Sequence, residues 1–157
     1  MHTTNRFAPA GCVADGAFVI CGGSDGSVHH NSCEMYVPAP HTGTSTATDA
    51  GSSMGQWRML PPMPTARAGC TACYVGGAVI VIGGDDGSGT PMPTVEALDL
   101  KRGKWVTLPS LNTPRTGAAC CAVGNVIYVV GGNAGAPHAS GGNTKAAATS
   151  SVEILDL

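Results

Sequence analysis

Three five-residue runs, AFVIC (17–21), AVIVI (78–82) and VIYVV (126–130), are apolar at every position, and each ends in Gly-Gly. A strand with one wet face alternates apolar and polar residues; a short continuous apolar run bounded by turn residues predicts a strand buried on both faces. Upstream of each lies a second run of small residues, AGCVA, TACYV or ACCAV, set off by Asp15-Gly16, Gly76-Gly77 or Gly124-Asn125. That arrangement predicts a strand joined to the first by a tight turn. Downstream, SCEMYV, TVEALDL and SVEILDL predict a third strand, and GQWRML and GKWVTLP a fourth in the first two copies.

The copies keep register. Arg67 and Arg115, Gly83-Gly84 and Gly131-Gly132, and Trp57 and Trp105 are each separated by 48 positions. A third copy starts at Arg6, and from Arg6 to Gly22, Arg67 to Gly83 and Arg115 to Gly131 the distance is 16 each time. A small sheet that is apolar on both faces must be covered on both, and stacking copies radially achieves this. The predicted fold class is therefore all-β, a β-propeller of four-stranded antiparallel blades. About three blades are present, in units of about 6–60, 61–110 and 111–157, and the third lacks its outer strand.

Arg, then Gly-Gly, then Val-Glu-x-x-Asp, then Trp-x-x-Leu-Pro, with a period close to 50, resembles the kelch repeat. The resemblance spans essentially the whole chain, and GGSDGSVHHNSCEMY is especially similar to a repeat of the BTB-kelch ubiquitin-ligase adaptors. It implies a propeller of about six blades. Since the third unit ends after its third strand, the expectation is either part of a longer protein or two or more chains associating over the exposed apolar ends. Two low-complexity insertions, 38–56 and 133–150, are rich in Ala, Ser, Thr and Gly and read as disordered loops on opposite faces.

Composition narrows the classes. A net charge of -2 with scattered Lys and Arg supplies no footprint for a phosphate backbone, so no nucleic acid partner is expected. No apolar run approaches the roughly 20 residues of a membrane span, and MHTTNRFAPAG lacks a signal-peptide core, which predicts a cytoplasmic protein without a membrane partner. Seven cysteines, an odd number without a secretory signal, predict reduced thiols. Cys12, Cys73 and Cys121 share one column of the first strands, as a small apolar residue would. Cys70 and Cys73 point to opposite faces of a strand, which disfavours chelation or a disulfide between them.

The recurring Arg6, Arg67 and Arg115 carry two readings. In one, each guanidinium ties blade to blade through carbonyls or through the recurring Glu34, Glu96 and Glu153. In the other, implied by the acidic degrons that BTB-kelch adaptors bind, they ring the mouth of the central channel and hold a partner's acidic side chains. Trp57 and Trp105 recur with the fold and are expected to pack between blades. The segments after Gly-Gly differ in length and chemistry, and variable loops on a repeating frame are where recognition is expected. The candidate partner-binding face is therefore Arg6, Arg67, Arg115, Asp25, His29, His30, Asp85, Asp86 and Asn133. His29 and His30 beside one aspartate fall short of a three- or four-ligand zinc site, so no metal is expected there.

The function expected is a non-catalytic interaction module binding a partner protein or peptide, with no cofactor and with self-association through exposed blade faces. The alternative is an enzyme of the kind some kelch propellers are, a copper-radical oxidase or a sugar mutarotase, since fold does not decide function. A copper-radical site needs tyrosines and histidines converging on one metal, whereas Tyr36, Tyr74 and Tyr128 all fall on predicted strands.

Overall fold

The computed structural model describes residues 5–39, 55–135 and 148–157. Among these the chain forms no helix and eleven strands: β1 (Ala10–Ala14), β2 (Ala17–Cys21), β3 (Cys33–Val37), β4 (Gln56–Leu60), β5 (Thr71–Val75), β6 (Ala78–Ile82), β7 (Val95–Asp99), β8 (Lys104–Leu108), β9 (Ala119–Val123), β10 (Val126–Val130) and β11 (Val152–Asp156). They make three antiparallel sheets, ordered β1-β2-β3-β4, β5-β6-β7-β8 and β9-β10-β11. The inserted segments fall mostly on residues 40–54 and 136–147, outside the described residues.

The first hairpins form for a local reason. Asp15 and Gly16 have φ of 49° and 78°, and Gly76 and Gly77 have 60° and 82°. Two successive positive φ values are what a two-residue turn needs to match the twist of its strands, and Asp-Gly and Gly-Gly supply them. The register then follows, with Ala14 opposite Ala17 and Val75 opposite Ala78.

The sheets stack face to face as blades of an open, unclosed β-propeller, with β1 against β5 and β5 against β9. Alternation along β6 shows why a continuously apolar run is required. Val79 and Val81 enter a core shared with Val19, Cys21 and Met35 of the first sheet. Ile80 and Ile82 enter the other, shared with Ile127 and Val129 of the third. Each such aliphatic side chain contributes about 1.5–3 kcal/mol by leaving water, and a polar residue at any of these positions would open one blade contact.

The two outer faces stay apolar. On the first sheet Val13, Phe18 and Met59 are exposed, and Trp57 stands edge-on to Phe18 at 6.5 Å and tilted against Tyr36 at 5.3 Å. On the third, Val123, Val130, Val152 and Ile154 are exposed. Trp105, the repeat partner of Trp57, lies between blades as expected: it packs on the first core and its indole N–H donates to the Pro61 carbonyl at 3.0 Å.

Candidate binding face and the arginine frame beneath it

Each recurring arginine reaches into its own sheet. From Nη1, Arg6 donates to the Gly22 carbonyl at 2.8 Å, Arg67 to Gly83 at 2.9 Å and Arg115 to Gly131 at 2.8 Å. From Nη2, they meet Glu34, Glu96 and Glu153 at 3.1, 3.0 and 2.9 Å. The side chains of Arg6, Arg67 and Arg115 are 1%, 0% and 0% exposed. The residue two positions before each glutamate completes the socket. Arg6 Nη2 donates to Ser32 Oγ at 2.9 Å, Arg115 Nη2 to Ser151 Oγ at 2.6 Å, and Arg67 Nη1 to the Thr94 carbonyl at 3.2 Å.

The backbones of these residues face the other way. The Arg67 carbonyl accepts from Gly23 N–H at 2.9 Å and its N–H donates to His30 O at 3.1 Å, both in the first blade. Arg115 repeats this one blade later, with Gly84 N–H at 2.7 Å and Met92 O at 3.2 Å. Arg67 and Arg115 thus join adjacent blades, main chain to the preceding one and guanidinium to their own. This corrects the expectation that Arg6, Arg67 and Arg115 line the partner-binding surface. The buried guanidinium charge is already matched by a carboxylate and by carbonyls, which is what makes its burial tolerable.

Burial pushes the Glu153 carboxyl up, but the Asn112 N–H, the Arg115 guanidinium and the Thr113 N–H outweigh it and hold the group below its ordinary value. Its oxygens accept from Asn112 N–H at 2.6 Å and Thr113 N–H at 3.0 Å. The anion therefore ties the segment entering β9 to β11.

Above this frame the post-glycine loops lie side by side. His29 Nε2 lies 3.1 Å from Asp85 Oδ1, joining the first loop to the second. The second and third also abut, since a Cβ on Gly135 would stand 3.2 Å from Pro91 Cδ. His30 Nε2 lies 3.6 Å from Asp25 Oδ2, within the first loop. Asp25, His29, His30, Asp85, Asp86 and Asn133 thus share one end of the molecule.

These loops are less independent than their sequences suggest. Ser24, Asp85 and Asn133 occupy one column, and each side chain accepts the N–H two residues on, from Gly26 at 3.1 Å, Gly87 at 3.0 Å and Gly135 at 2.8 Å. Each also bridges back to the approach of its first strand, at Phe7, Ala68 and Thr116. Segments that differ in length and chemistry thus share one turn position. Ser, Asp and Asn are interchangeable as turn-forming acceptors, so the shared role hides behind different letters.

Asp25 and Asp86 are the more accessible carboxylates. Main-chain N–H groups of Val28 and Ser27 hold Asp25 low, and that of Ser88 does so for Asp86. The accessible fixed charge of the face is therefore negative. Among the described residues, no three His, Cys, Asp or Glu side chains form a group able to hold a metal ion. The Tyr74 hydroxyl donates to Asp15 Oδ2 at 2.7 Å, at the hairpin ends away from these loops.

The cysteines divide between the cores. Cys21, Cys33 and Cys70 belong to the first and Cys73 to the second, so Cys70 and Cys73 do face opposite ways. All seven are free thiols.

The kelch motif matches at residues 66–112 and 114–157, more than half of the chain. Kelch domain-containing protein 8B of Bos taurus is 41% identical over 54 residues, covering 34% of this chain and 15% of the bovine protein. The Rattus norvegicus protein of that name is 39% identical over 50 residues, 32% of this chain and 14% of its own length. The Homo sapiens protein is 41% identical over 44 residues, 28% of this chain and 12% of its own length. The matched stretch is thus a small part of each of these relatives.

Proposed function

The chain belongs to the kelch-repeat family, and from that membership we propose that it binds a partner protein or peptide through the face formed by its post-glycine loops. Kelch repeats are in general protein-interaction modules, and kelch-domain proteins are in general non-enzymatic. The observation that carries the reading is the His29–Asp85 contact, which joins two loops of differing chemistry into one surface on a frame held from below by buried arginines.

The partner segment favoured by this face is basic. Asp25 and Asp86 offer carboxylates outward, while the three guanidiniums that would attract acidic side chains are enclosed. Complementary charge steers encounter and rejects like-charged competitors. A scaffold or substrate-adaptor role is the wider form of this proposal.

The test is fluorescence polarisation with matched sets of basic and acidic extended peptides, on the wild-type chain and on Asp25→Asn/Asp86→Asn. The expected result is salt-sensitive binding of basic peptides, weakened about tenfold by the double substitution, as loss of two partly exposed charge contacts implies. Binding restricted to acidic peptides, or unchanged by the substitutions, would overturn it.

A further inference from the structure

Cys120 and Cys73 meet across the contact between the second and third blades. Cys73 lies on β5 and faces the third sheet; Cys120 lies on β9 and faces the second, and both border the same core. Thr71, two residues before Cys73 and so on the same face of β5, donates its hydroxyl to Cys120 Sγ at 3.3 Å. The Cys73 side chain projects from that same face of β5 into the same core. Cys120 is therefore a half-buried sulfur that accepts from a hydroxyl, with a second thiol bordering the same core. The repeat column that gives Cys120 gives Ala72 and Gly11 in the other blades, so the fold does not call for a thiol there.

We propose that Cys120 and Cys73 form a peroxide-reactive pair, with Cys120 as the attacking sulfur and Cys73 as the resolving thiol, and that oxidation staples the second blade to the third. The Cys120 thiolate attacks one oxygen of hydrogen peroxide. The O–O bond breaks, Cys120 becomes a sulfenic acid, and the departing hydroxide takes a proton to become water. Cys73 sulfur then displaces the sulfenic oxygen, which leaves as a second water with the Cys73 proton. Two thiols and one peroxide thus become one disulfide and two waters.

The electrostatics select this sulfur over the others. The neighbouring Cys73 thiol lowers Cys120 to about 7, burial opposes the shift, and the Thr71 hydroxyl adds to the lowering. The reciprocal interaction raises Cys73, as suits a thiol that stays protonated until it resolves. Cys21 and Cys33 also make a contacting pair, directly opposite on β2 and β3. There, the hydrogen bond to Cys33 and burial push Cys21 well up, and both side chains are shut from solvent. Thiolate character and access together decide oxidation, and only the Cys73–Cys120 pair combines them.

The experiment uses the whole reduced chain. It is exposed to limiting hydrogen peroxide, quenched with N-ethylmaleimide under denaturing conditions and digested with trypsin, and the products are read by tandem mass spectrometry. The expected product joins peptides 68–101 and 116–145 through Cys73 and Cys120, with loss of two hydrogens. At pH 7 Cys120 should be consumed faster than Cys121, despite the greater exposure of Cys121. Thr71→Val should shift the midpoint of the pH–rate profile upward, a readout that mere packing would not move. Faster consumption of Cys121, a Cys120 that proceeds to sulfinic acid without joining Cys73, or an unmoved midpoint in folded Thr71→Val would each overturn the proposal. The wild-type digest answers the first two without any variant, and partner binding is not part of the readout.

Discussion

The carbonyl oxygen of Arg67 occupies the space that a Cβ on Gly22 would need. Gly22 belongs to the first blade and Arg67 enters the second, so this is a point where the main chains of two blades touch. Gly23 N–H seals it with a 2.9 Å bond to the same carbonyl. The first glycine of the doublet is thus required by its neighbour as well as by its own φ of 68°.

That relationship separates two glycines of the same column. Gly131 has nearly the same φ, 66°, but among the described residues the nearest atom to its Cβ position is Thr149 O at 3.6 Å, an ordinary contact. Gly131→Ala should cost only the left-handed backbone term, about 1–2 kcal/mol. Gly22→Ala adds a main-chain overlap and should cost clearly more. Urea midpoints of the two variants check this, and equal losses would show that the blade contact gives way freely.

Arg67 is the second test of the frame. Removing its guanidinium strands Glu96 and the Gly83 and Thr94 carbonyls inside the protein, so Arg67→Ala should cost about 3–5 kcal/mol, the range for breaking a buried pair on one side. Arg67→Lys should rescue little, because a single ammonium does not reproduce the fork that reaches carbonyls and carboxylate together. Thermal melts provide the measurement. Peptide binding by whatever fraction remains folded should be unchanged, which separates the frame role from a direct role at the binding face.

Much of this frame was legible because it repeats. The constant 16 residues from arginine to glycine is the length of chain between a guanidinium and the carbonyl it binds, and the doubly apolar runs at 17–21, 78–82 and 126–130 are the strands that feed two cores. What repetition does not reveal is direction. The same recurring Arg67 suits a channel mouth or a buried socket, and only packing against Glu96 and Gly83 decides. The socket's further contact, the carbonyl two residues before each glutamate, carries no side-chain signal. Ser24, Asp85 and Asn133 escaped because unlike residues perform one turn role. Cys73 and Cys120 lie in different columns of different sheets, so only the packing of one sheet on the next brings them to one core.

The third blade should be acid-sensitive. Glu153 is held below its ordinary value of 4.5 in the folded chain. A depressed carboxyl contributes stability that is fully present above the unfolded value and is lost as pH falls through the folded one. Stability should therefore fall below about pH 4.5, and Glu153→Gln should be less stable at neutral pH with a flatter acid limb. Hydrogen exchange of the β11 amides between pH 6 and pH 3 reads this directly. An acid limb of the same steepness in the variant would assign the loss to other carboxylates.

The two outer sheet faces set the last expectation. Phe18 is 42% exposed and Met59 50% on one, and Val152 is 52% and Ile154 61% on the other. By the repeat, the first face corresponds to the side that the second blade turns to the first, and the second face to the side that the second blade turns to the third. The two are therefore of the kinds that already pack against each other twice within the chain. Contiguous apolar surface of this sort drives association, and a head-to-tail contact between copies would reuse the same geometry. In isolation the 157-residue chain should show a molar mass that rises with concentration in light scattering. Ile154→Lys and Phe18→Asp should each lower it, and mixing the two variants should recover part of the association, because each retains one intact face. Recovery absent from the mixture would mean that the faces stick without register, and a constant monomer mass in the wild type would mean that they do not stick at all.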